Sequence, residues 1–304
     1  MPTSLIKPGV LVPFSFGASQ AGWHSIQPFT ICPKEYQLSR VRGISQRSPY
    51  QPLHLGTGAI LHTARAQWFN DEYKLDLWRD AVEKYIVEAE AHAGKPFDPA
   101  SKLTAIETFE AYVAYWRPRG KTTPLAVEWE VTGFDRTARL DSVELAADGA
   151  WVGEFKSTSK GIASVTDMYL LNGQTLMQAL LCKHSKEFTD TFGPFKGILL
   201  DALKKPSGKR PAEAYPRVRL PVEQMESTLK WFERDLPRWI RGTERISWNA
   251  DVERRPVCQR AYGPCEFKDL CLLGKGAAHL YQTKDGETLS NWKPSDDKTT
   301  APWD

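Results

Sequence analysis

The sequence predicts an α+β fold in which a helical first part leads into a central sheet and is followed by further helices. Apolar residues recur at helical spacing over Leu75–Ala93, and Leu103–Trp116 is a further helical stretch. The pattern then changes to three short β-rich runs separated by turn-like residues: Leu125–Val131, Ala138–Val143 and Ala150–Phe155. We therefore expect an antiparallel meander within a mixed sheet that is flanked by helices.

The remaining elements follow from the same periodicities. Short helices are expected over Pro33–Val41 and Gly56–Asn70 before the sheet, and a long helix over Met168–His184 after it. Gly197–Leu203 reads as one more strand, and the segment 204–216 as a basic loop rich in proline and glycine. Glu223–Arg241 returns to helical spacing, and the chain from residue 274 onward is expected to be a polar tail.

Composition excludes several classes of protein. The 304 residues include 41% hydrophobic and 25% charged residues, which are globular proportions, and 40 basic against 37 acidic residues give a formal charge of only +3. The N-terminal stretch has neither a signal-peptide pattern nor an apolar run long enough to span a membrane, so a soluble, cytoplasmic protein is expected. No phosphate-binding loop motif occurs, which argues against a motor ATPase within this chain.

The strongest chemical signal is formed by two carboxylates and a lysine on neighbouring predicted strands. Asp141 lies in one strand, and Glu154 and Lys156 share one face of the next. A tight turn near Asp148–Gly149 would place Asp141 opposite them. Two carboxylates make a hard oxygen site suited to Mg²⁺ or Mn²⁺, and the ammonium could orient a water, as metal-assisted phosphodiester hydrolysis requires. The alternative is a cross-strand salt bridge on the surface.

These residues resemble the motifs of the PD-(D/E)xK nuclease superfamily, specifically its RecB-like branch. Ala138-Arg-Leu-Asp141 is similar to the motif strand that ends in aspartate, Glu154-Phe-Lys156-Ser-Thr to the (D/E)xK strand, and Gly56-Thr-Gly-Ala-Ile-Leu-His62 to an upstream Gly…His helix. The resemblance implies an α/β/α restriction-endonuclease-like core. It also implies a catalytic site in which His62 and the Phe155 carbonyl assist the two carboxylates in holding metal.

Two further positions are implied by the same resemblance. Glu128 is similar to the acidic residue of the preceding strand, although Glu130 could take that role instead. A Gln-x-x-x-Tyr helix follows the motif strands in the family; here Gln174 has the right spacing and Gln178 stands where the family has tyrosine. Gln174 is therefore expected at the site, whereas the role of Gln178 stays open.

Cysteine usage argues against a disulfide framework, because five cysteines are an odd number and no signal peptide is expected. Cys182 reads as a small core residue. Cys32, in a Cys-Pro-x-x-Tyr segment, and the C-terminal run of Cys258, Cys265 and Cys271 resemble the four-cysteine pattern of the RecB-like branch. That resemblance implies a [4Fe–4S] cluster that staples the N-terminal to the C-terminal region. A structural zinc ion and free thiols are the alternatives.

Together these features predict one nuclease domain over residues 1–273, followed by a polar tail over 274–304. The domain would comprise an N-terminal helical region (about 30–120), a catalytic core (about 121–203) and a C-terminal helical and cysteine region (about 217–273). The expected function is that of a Mg²⁺- or Mn²⁺-dependent exonuclease acting on single-stranded DNA ends in recombination, repair, phage replication or CRISPR adaptation. The expected partners are DNA, with single-stranded or duplex ends, and a helicase or recombination protein on a separate chain. The alternatives are a non-catalytic relative that binds DNA ends or a partner, and a zinc-stapled scaffold.

Overall fold

The structure is a computed structural model of the chain. It describes residues 22–50, 53–70, 77–119, 124–159, 161–248, 252, 255, 259–260, 263–283, 286 and 288–289. These described residues group into two compact units. The first unit contains Trp23 and residues 49–232, and the second contains residues 24–48 together with residues 233–304.

The helices, numbered in chain order, have the following bounds: α1 Trp23–Ile31, α2 Pro33–Tyr36, α3 Leu53–Asn70, α4 Leu77–Ala93, α5 Pro99–Trp116, α6 Ile162–Leu170, α7 Gly173–His184, α8 Lys186–Phe192, α9 Val222–Glu244 and α10 Lys268–Leu273. A π-helical turn continues α2 over Gln37–Val41, and 3₁₀ turns cover Arg117–Arg119 and Gly274–Leu280. The strands are β1 Ser45–Gln46, β2 Ala126–Gly133, β3 Arg136–Ala146, β4 Gly149–Thr158, β5 Phe195–Lys204, β6 Glu213–Ala214, β7 Val218–Pro221, β8 Gln259–Arg260, β9 Gly263–Pro264 and β10 Tyr281–Gln282.

A six-stranded mixed sheet forms the centre of the first unit. Its order is β2-β3-β4-β5, and β6 and β7 both pair with β5. β4 and β5 are parallel, and every other pair in this sheet is antiparallel. Parallel neighbours need a crossover connection, which α6, α7 and α8 supply between β4 and β5. The predicted α+β class, with a meander inside a mixed sheet, is confirmed.

Helices cover both faces of this sheet. Arg65 of α3 contacts Ser142 of β3, whereas Gln178 of α7 contacts Glu154 of β4. Ser142 pairs with Gly153, so these two residues face the same side of the sheet. Glu154 follows Gly153 in β4 and therefore faces the other side. α3 and α7 accordingly lie on opposite faces of the sheet. The α3 side carries an aromatic core in which Trp68, Phe109 and Tyr112 are almost fully buried.

The second unit joins segments that lie far apart in the sequence. β1 pairs with β10, and the Gln37 side-chain amide donates to the carbonyl oxygens of Ser247 (3.0 Å) and Trp248 (3.1 Å). Arg42, one of the basic residues near the N-terminus, is buried and also donates to the Trp248 carbonyl. Leu38, Phe267 and Tyr281 belong to the apolar core of this unit.

The expectation of a polar tail from residue 274 onward is wrong for its first residues. Residues 274–280 form a 3₁₀ turn, and Tyr281 at the start of β10 is fully buried. The Tyr281 ring stacks on Phe267 at 6.1 Å between centroids, and its hydroxyl donates to the Glu266 carbonyl. An isolated tyrosine in a polar segment has no hydrophobic periodicity, so its burial could not be predicted from the sequence pattern.

Other differences concern short elements. The helix expected over Met168–His184 is two helices, α6 and α7, which meet at Leu171 and Asn172; the Asn172 side chain caps α7 by accepting from the Gln174 amide at 2.8 Å. α1, α8 and β7 were not expected, since each is too short for a clear periodic signal.

Candidate metal-dependent active site

Three carboxylates form a row across β2, β3 and β4. In the β3–β4 ladder Ser142 pairs with Gly153, so the next position outward sets Asp141 opposite Glu154. In the β2–β3 ladder the residues immediately before and after Glu128 pair with the residues immediately after and before Asp141, so Glu128 lies opposite Asp141. The row exists because β3 and β4 are joined by a tight hairpin closed by Ala146 and Gly149, as the turn residues predict.

Asp141 is held by the backbone of the neighbouring strand. The β3–β4 ladder ends at Ser142, and the Asp141 Oδ2 atom accepts the next available amide, that of Phe155, at 2.7 Å. Its side chain is 8% exposed. The carboxylate therefore has a fixed position, with one oxygen committed to the backbone and the other directed to His62.

His62, Glu128 and Asp141 converge on one point. The His62 Nδ1 atom lies 3.3 Å from the Asp141 Oδ1 atom. One potential ligand atom from each of the three residues lies within 4.8 Å of the other two. Carboxylate oxygens with an imidazole nitrogen are a donor set that Mg²⁺ or Mn²⁺ accepts, so the residues present fit a divalent metal.

Glu128 reaches this point through an unusual backbone conformation. Its φ is +51°, in the left-handed region that residues other than glycine rarely occupy and that costs about 1–3 kcal/mol. The Arg139 Nε atom lies 3.0 Å from the Glu128 Oε2 atom and orients the carboxylate. Glu130, the alternative that the sequence left open, is exposed and outside the group formed with His62 and Asp141.

Two carboxyls of the site have pKa values shifted in opposite directions. Burial, followed by the charge of Asp141, raises the pKa of Glu128 from 4.5 to about 7. Burial acts in the same direction on Asp141, but His62, Lys156 and Arg65 outweigh it and hold the pKa of this carboxyl well below its ordinary value. One ionised and one partly protonated carboxyl next to each other form a site that a bound dication would neutralise.

Glu154 is fully buried and held from two sides. Its Oε1 atom lies 2.6 Å from the Lys156 Nζ atom, and its Oε2 atom accepts from the Gln178 side-chain amide at 2.7 Å. Burial alone would lower the pKa of Lys156, but Glu154 and Asp141 raise it above its ordinary value, so the ammonium stays charged. Glu154 is therefore next to the group formed by His62, Glu128 and Asp141 but engaged with Lys156. The expected roles of Glu154 and of the Phe155 carbonyl as metal ligands stay predictions.

The amide that contacts the site is that of Gln178. Gln178 is 1% exposed and donates to Glu154, whereas Gln174 lies one helical turn earlier, near the start of α7, and is half-buried. The two residues share a face of α7, but only the later turn packs over β4 at Glu154. Gln178, whose role the sequence left open, is thus a site residue, and a role for Gln174 stays a prediction.

The sequence analysis missed a buried polar network on the α3 side of the sheet. Its members are Arg65, Tyr112, Ser142, Glu144, Asp201 and Arg217. The Asp201 Oδ2 atom accepts from the Tyr112 hydroxyl at 2.7 Å and from the Arg217 Nε atom at 3.1 Å. Arg65 lies three residues after His62 in α3, so this network anchors the helix that carries His62. The only hint of this network in the sequence was Asp201, a single aspartate within the largely apolar strand β5.

The expected metal cluster between the chain ends is not supported. Cys258 lies outside the described residues, and among the described residues Cys32, Cys265 and Cys271 do not form a group that could hold one metal ion. The described cysteines form no disulfide. Instead, the β1–β10 ladder and an apolar core join the N-terminal and C-terminal segments. Cys182 is a fully buried core residue, as expected.

Comparison with known proteins identifies the family. The family model described as the PD-(D/E)XK nuclease superfamily matches residues 24–272. The chain belongs to the PD-(D/E)XK nuclease superfamily. Membership confirms the expected restriction-endonuclease-like core, in which a mixed sheet is flanked by helices, and it makes the row of carboxylates the place to expect nuclease chemistry with a divalent metal.

The PD-(D/E)XK chain also resembles a solved structure. A candidate exonuclease from Eubacterium rectale aligns with a TM-score of 0.48 and 10% sequence identity, over 83% of this chain and 94% of that chain. No curated protein matched the sequence. None of the described helices has the length and apolar character needed to cross a membrane.

Proposed function

We propose that the chain is a Mg²⁺- or Mn²⁺-dependent phosphodiester hydrolase that removes nucleotides from the ends of single-stranded DNA. The observation that carries this proposal is the convergence of His62, Glu128 and Asp141 beside the Glu154–Lys156 pair. A salt bridge on the surface would not bury the Asp141 and Glu154 carboxylates. The donor set, its burial and the family membership point to the same chemistry.

The proposed roles follow from the contacts. His62, Glu128 and Asp141 would hold the metal, with Glu154 and the Phe155 carbonyl as further ligands. A bound divalent ion would polarise a phosphate oxygen and make a water molecule more acidic. The Phe155 amide keeps Asp141 fixed while this occurs.

Lys156 would act directly on the reacting groups. Its ammonium is charged and is held next to the carboxylate row by Glu154, at 2.6 Å. From this position it would orient the attacking water and stabilise negative charge that develops on the phosphate. Gln178 keeps Glu154 in place, and Gln174, one turn earlier on α7, is proposed to contact the substrate.

The four-cysteine cluster of the RecB-like branch is a separate proposal with a structural role only. Its support is that the three described cysteines of the pattern, Cys32, Cys265 and Cys271, all belong to the second compact unit. Anaerobic purification, followed by iron, sulfide and zinc analysis, decides between a [4Fe–4S] cluster, structural zinc and free thiols. The Cys32→Ser variant should lose most of the bound metal if either metal-bound form is correct.

The biological setting is proposed from the reaction. An end-directed nuclease without a motor fits recombination, repair, phage replication or CRISPR adaptation. A helicase or recombination protein on a separate chain would then supply single strands, and the proposed location is the cytoplasm.

The test is Mn²⁺-dependent degradation of end-labelled linear single-stranded DNA, with circular single-stranded DNA as the substrate that has no ends. We expect the wild type to degrade the linear DNA and to spare the circular DNA. Asp141→Asn should lose at least about a hundredfold in rate, because it removes a metal ligand. Glu130→Gln, an exposed glutamate on the same strand as Glu128, is the control and should keep full activity.

Each other outcome has a definite meaning. Cleavage of the circular substrate would replace the exonuclease assignment with that of an endonuclease. DNA binding without cleavage would favour the non-catalytic relative. Activity that survives Asp141→Asn in a preparation free of contaminating nuclease would contradict the proposed site.

A further inference from the structure

The outer face of α9 carries a stripe of arginines, which we define as Arg234, Arg238, Arg241 and Arg245. Their spacings of four, three and four residues place them on one side of the helix. All four are exposed, and Arg245 follows directly after the helix. The stripe belongs entirely to the second compact unit.

The stripe lies opposite the buried face of the same helix. Met225, Leu229, Phe232 and Leu236 are at most 1% exposed. At 100° per residue these apolar positions centre on the direction opposite to the arginines, so the guanidinium groups extend away from the core into solvent. Neither packing nor the apolar core explains why these positions carry arginine.

Two of the four arginines are pre-oriented. Asp235 is largely buried, and its Oδ1 atom lies 3.2 Å from the Arg234 Nε atom while its Oδ2 atom lies 3.3 Å from an Arg238 Nη atom. The Arg234 and Arg238 side chains are nevertheless 71% and 70% exposed. One carboxylate thus fixes the direction of two guanidinium groups whose remaining donors face solvent, which lowers the entropy lost when they bind an anion.

Neither α4 nor the first half of α9 shows this pattern on its exposed face. On α4 the exposed positions mix both signs, as in the Lys84–Glu88 pair, and Lys230 in the first half of α9 is paired with Glu226. Favourable interaction with the helix C-terminus explains basic residues in the last turn only. The stripe extends from Arg234 to Arg245, or about 16 Å at about 1.5 Å per residue.

We infer that this stripe binds the phosphate backbone of the DNA on which the enzyme acts. The partner follows from charge: a row of four planar cations matches a row of phosphates along a nucleic-acid strand. This inference rests on the proposed function for the choice of DNA, and it assigns the contact to specific residues.

The test measures binding of labelled single-stranded DNA by fluorescence anisotropy over a series of KCl concentrations. The full-length Asp141→Asn protein in Mg²⁺ is the background, so that DNA is not degraded. Each phosphate contact contributes about 0.7 to the slope of log affinity against log salt for single strands. The four Arg→Gln substitutions should therefore flatten the slope by about 3.

A charge-matched control separates the stripe from a general loss of charge. Lys84, Lys95, Lys183 and Lys186, all outside α9, are replaced by Gln in the same background, which removes four positive charges as well. This control should leave the slope within about 0.7 of the background value, the contribution of one contact. If circular dichroism shows that the stripe variant is unfolded, the Arg241→Gln, Arg245→Gln double variant is measured instead. It should flatten the salt slope by about half as much.

An unchanged slope in the stripe variant, or an equal loss in the control, would overturn the inference. Failure of the proposed function is distinguishable, because it appears in the cleavage assay of the wild type and not in the salt dependence of binding. If the wild type does not cleave while the stripe variant flattens the slope, the stripe stands as a DNA-binding surface and the nuclease proposal fails.

Discussion

At the scale of single residues, Glu128 combines a strained backbone with a shifted pKa. Its φ is +51°, and burial, followed by the charge of Asp141, raises its pKa to about 7. Strained backbone and a shifted pKa are typical of functional positions, because the surrounding fold must impose them. Sequence patterns do not report either property.

The raised pKa of Glu128 predicts that metal binding depends on pH. The carboxyl must lose its proton to bind a cation, so Mn²⁺ affinity should fall about tenfold for each pH unit below about 7 on account of this group. Calorimetric titration of Mn²⁺ between pH 5.5 and 8.5 measures this slope. In Glu128→Gln the affinity should be lower and this contribution to the slope should vanish. An identical pH slope in the variant would contradict the assignment.

The raised pKa of Glu128 also predicts how the stability of the metal-free protein depends on pH: stability should fall as the pH rises, whereas metal affinity should increase. Because the pKa of Glu128 is raised above 4.5 in the folded state, its contribution to stability is fully present below pH 4.5 and is lost as the pH rises through about 7. Bound metal should therefore stabilise the protein most at the alkaline end of this window.

Gln178 is predicted to stabilise the buried Glu154. Replacing it by Leu removes the 2.7 Å hydrogen bond to a fully buried carboxylate. A hydrogen bond to a charged group contributes about 1.5–3 kcal/mol, so the free energy of unfolding should fall by that amount. Gln174→Ala, one turn earlier on α7, is the matched control and should change it by less than about 0.5 kcal/mol. Denaturant titration of both variants decides, and equal losses would show that the contact is not specific.

At the scale of elements, the two faces of β4 have different surroundings. The residues facing α7 include Glu154 and Lys156, whereas Gly153 faces α3 and the buried network. A Cβ atom at Gly153 would lie 2.1 Å from the Ser142 Oγ atom and 3.3 Å from an Arg65 Nη atom. The glycine therefore allows the Arg65 guanidinium to lie against the strand that carries Glu154 and Lys156.

Gly153→Ala is expected to be destabilising although the substitution is small. The methyl group must displace Ser142 or Arg65, and overpacking of this kind costs about 1–3 kcal/mol. Gly58→Ala is the control: this glycine lies inside α3 and an added methyl group meets no heavy atom within 4 Å, so the substitution should not lower stability. Thermal unfolding of the two variants tests this. Equal melting temperatures would contradict the close approach of Arg65.

The elements that could be predicted from the sequence are those defined by local patterns. The meander was predictable because β2, β3 and β4 combine β-rich runs with tight turns, and the spacing of Asp141 and Glu154 around the hairpin then follows from pairing alone. Gln178 and Arg65 could not be assigned, because their roles depend on how helices pack onto the sheet, and a single sequence does not encode that packing visibly.

At the scale of the whole molecule, the second unit is assembled from both ends of the described chain. Residues 24–48 pack with residues beyond 232, and Tyr281 contributes a fully buried ring to the core. A contact between segments that far apart leaves no local pattern. This is why the segment after residue 274 looked like a tail.

Truncation should reveal how far this unit extends. A chain that stops after Leu273 loses β10 and the Tyr281 ring, and removing a buried aromatic side chain alone costs about 3–5 kcal/mol. A chain that stops after Asn291 keeps both and is the control. Limited proteolysis should cut the shorter chain rapidly within residues 24–48 and leave the control as resistant as the full chain. Equal resistance would show that β10 does not stabilise this unit.

The most direct test of the central claim is the position of Mn²⁺ in a crystal, located by anomalous diffraction. The account predicts a peak bounded by His62, Glu128 and Asp141, with Glu154 and Lys156 beside it. In the Asp141→Asn protein this peak should disappear. A wild-type crystal at saturating Mn²⁺ with no peak among these residues would contradict the account, because the row of carboxylates would then not be a metal site.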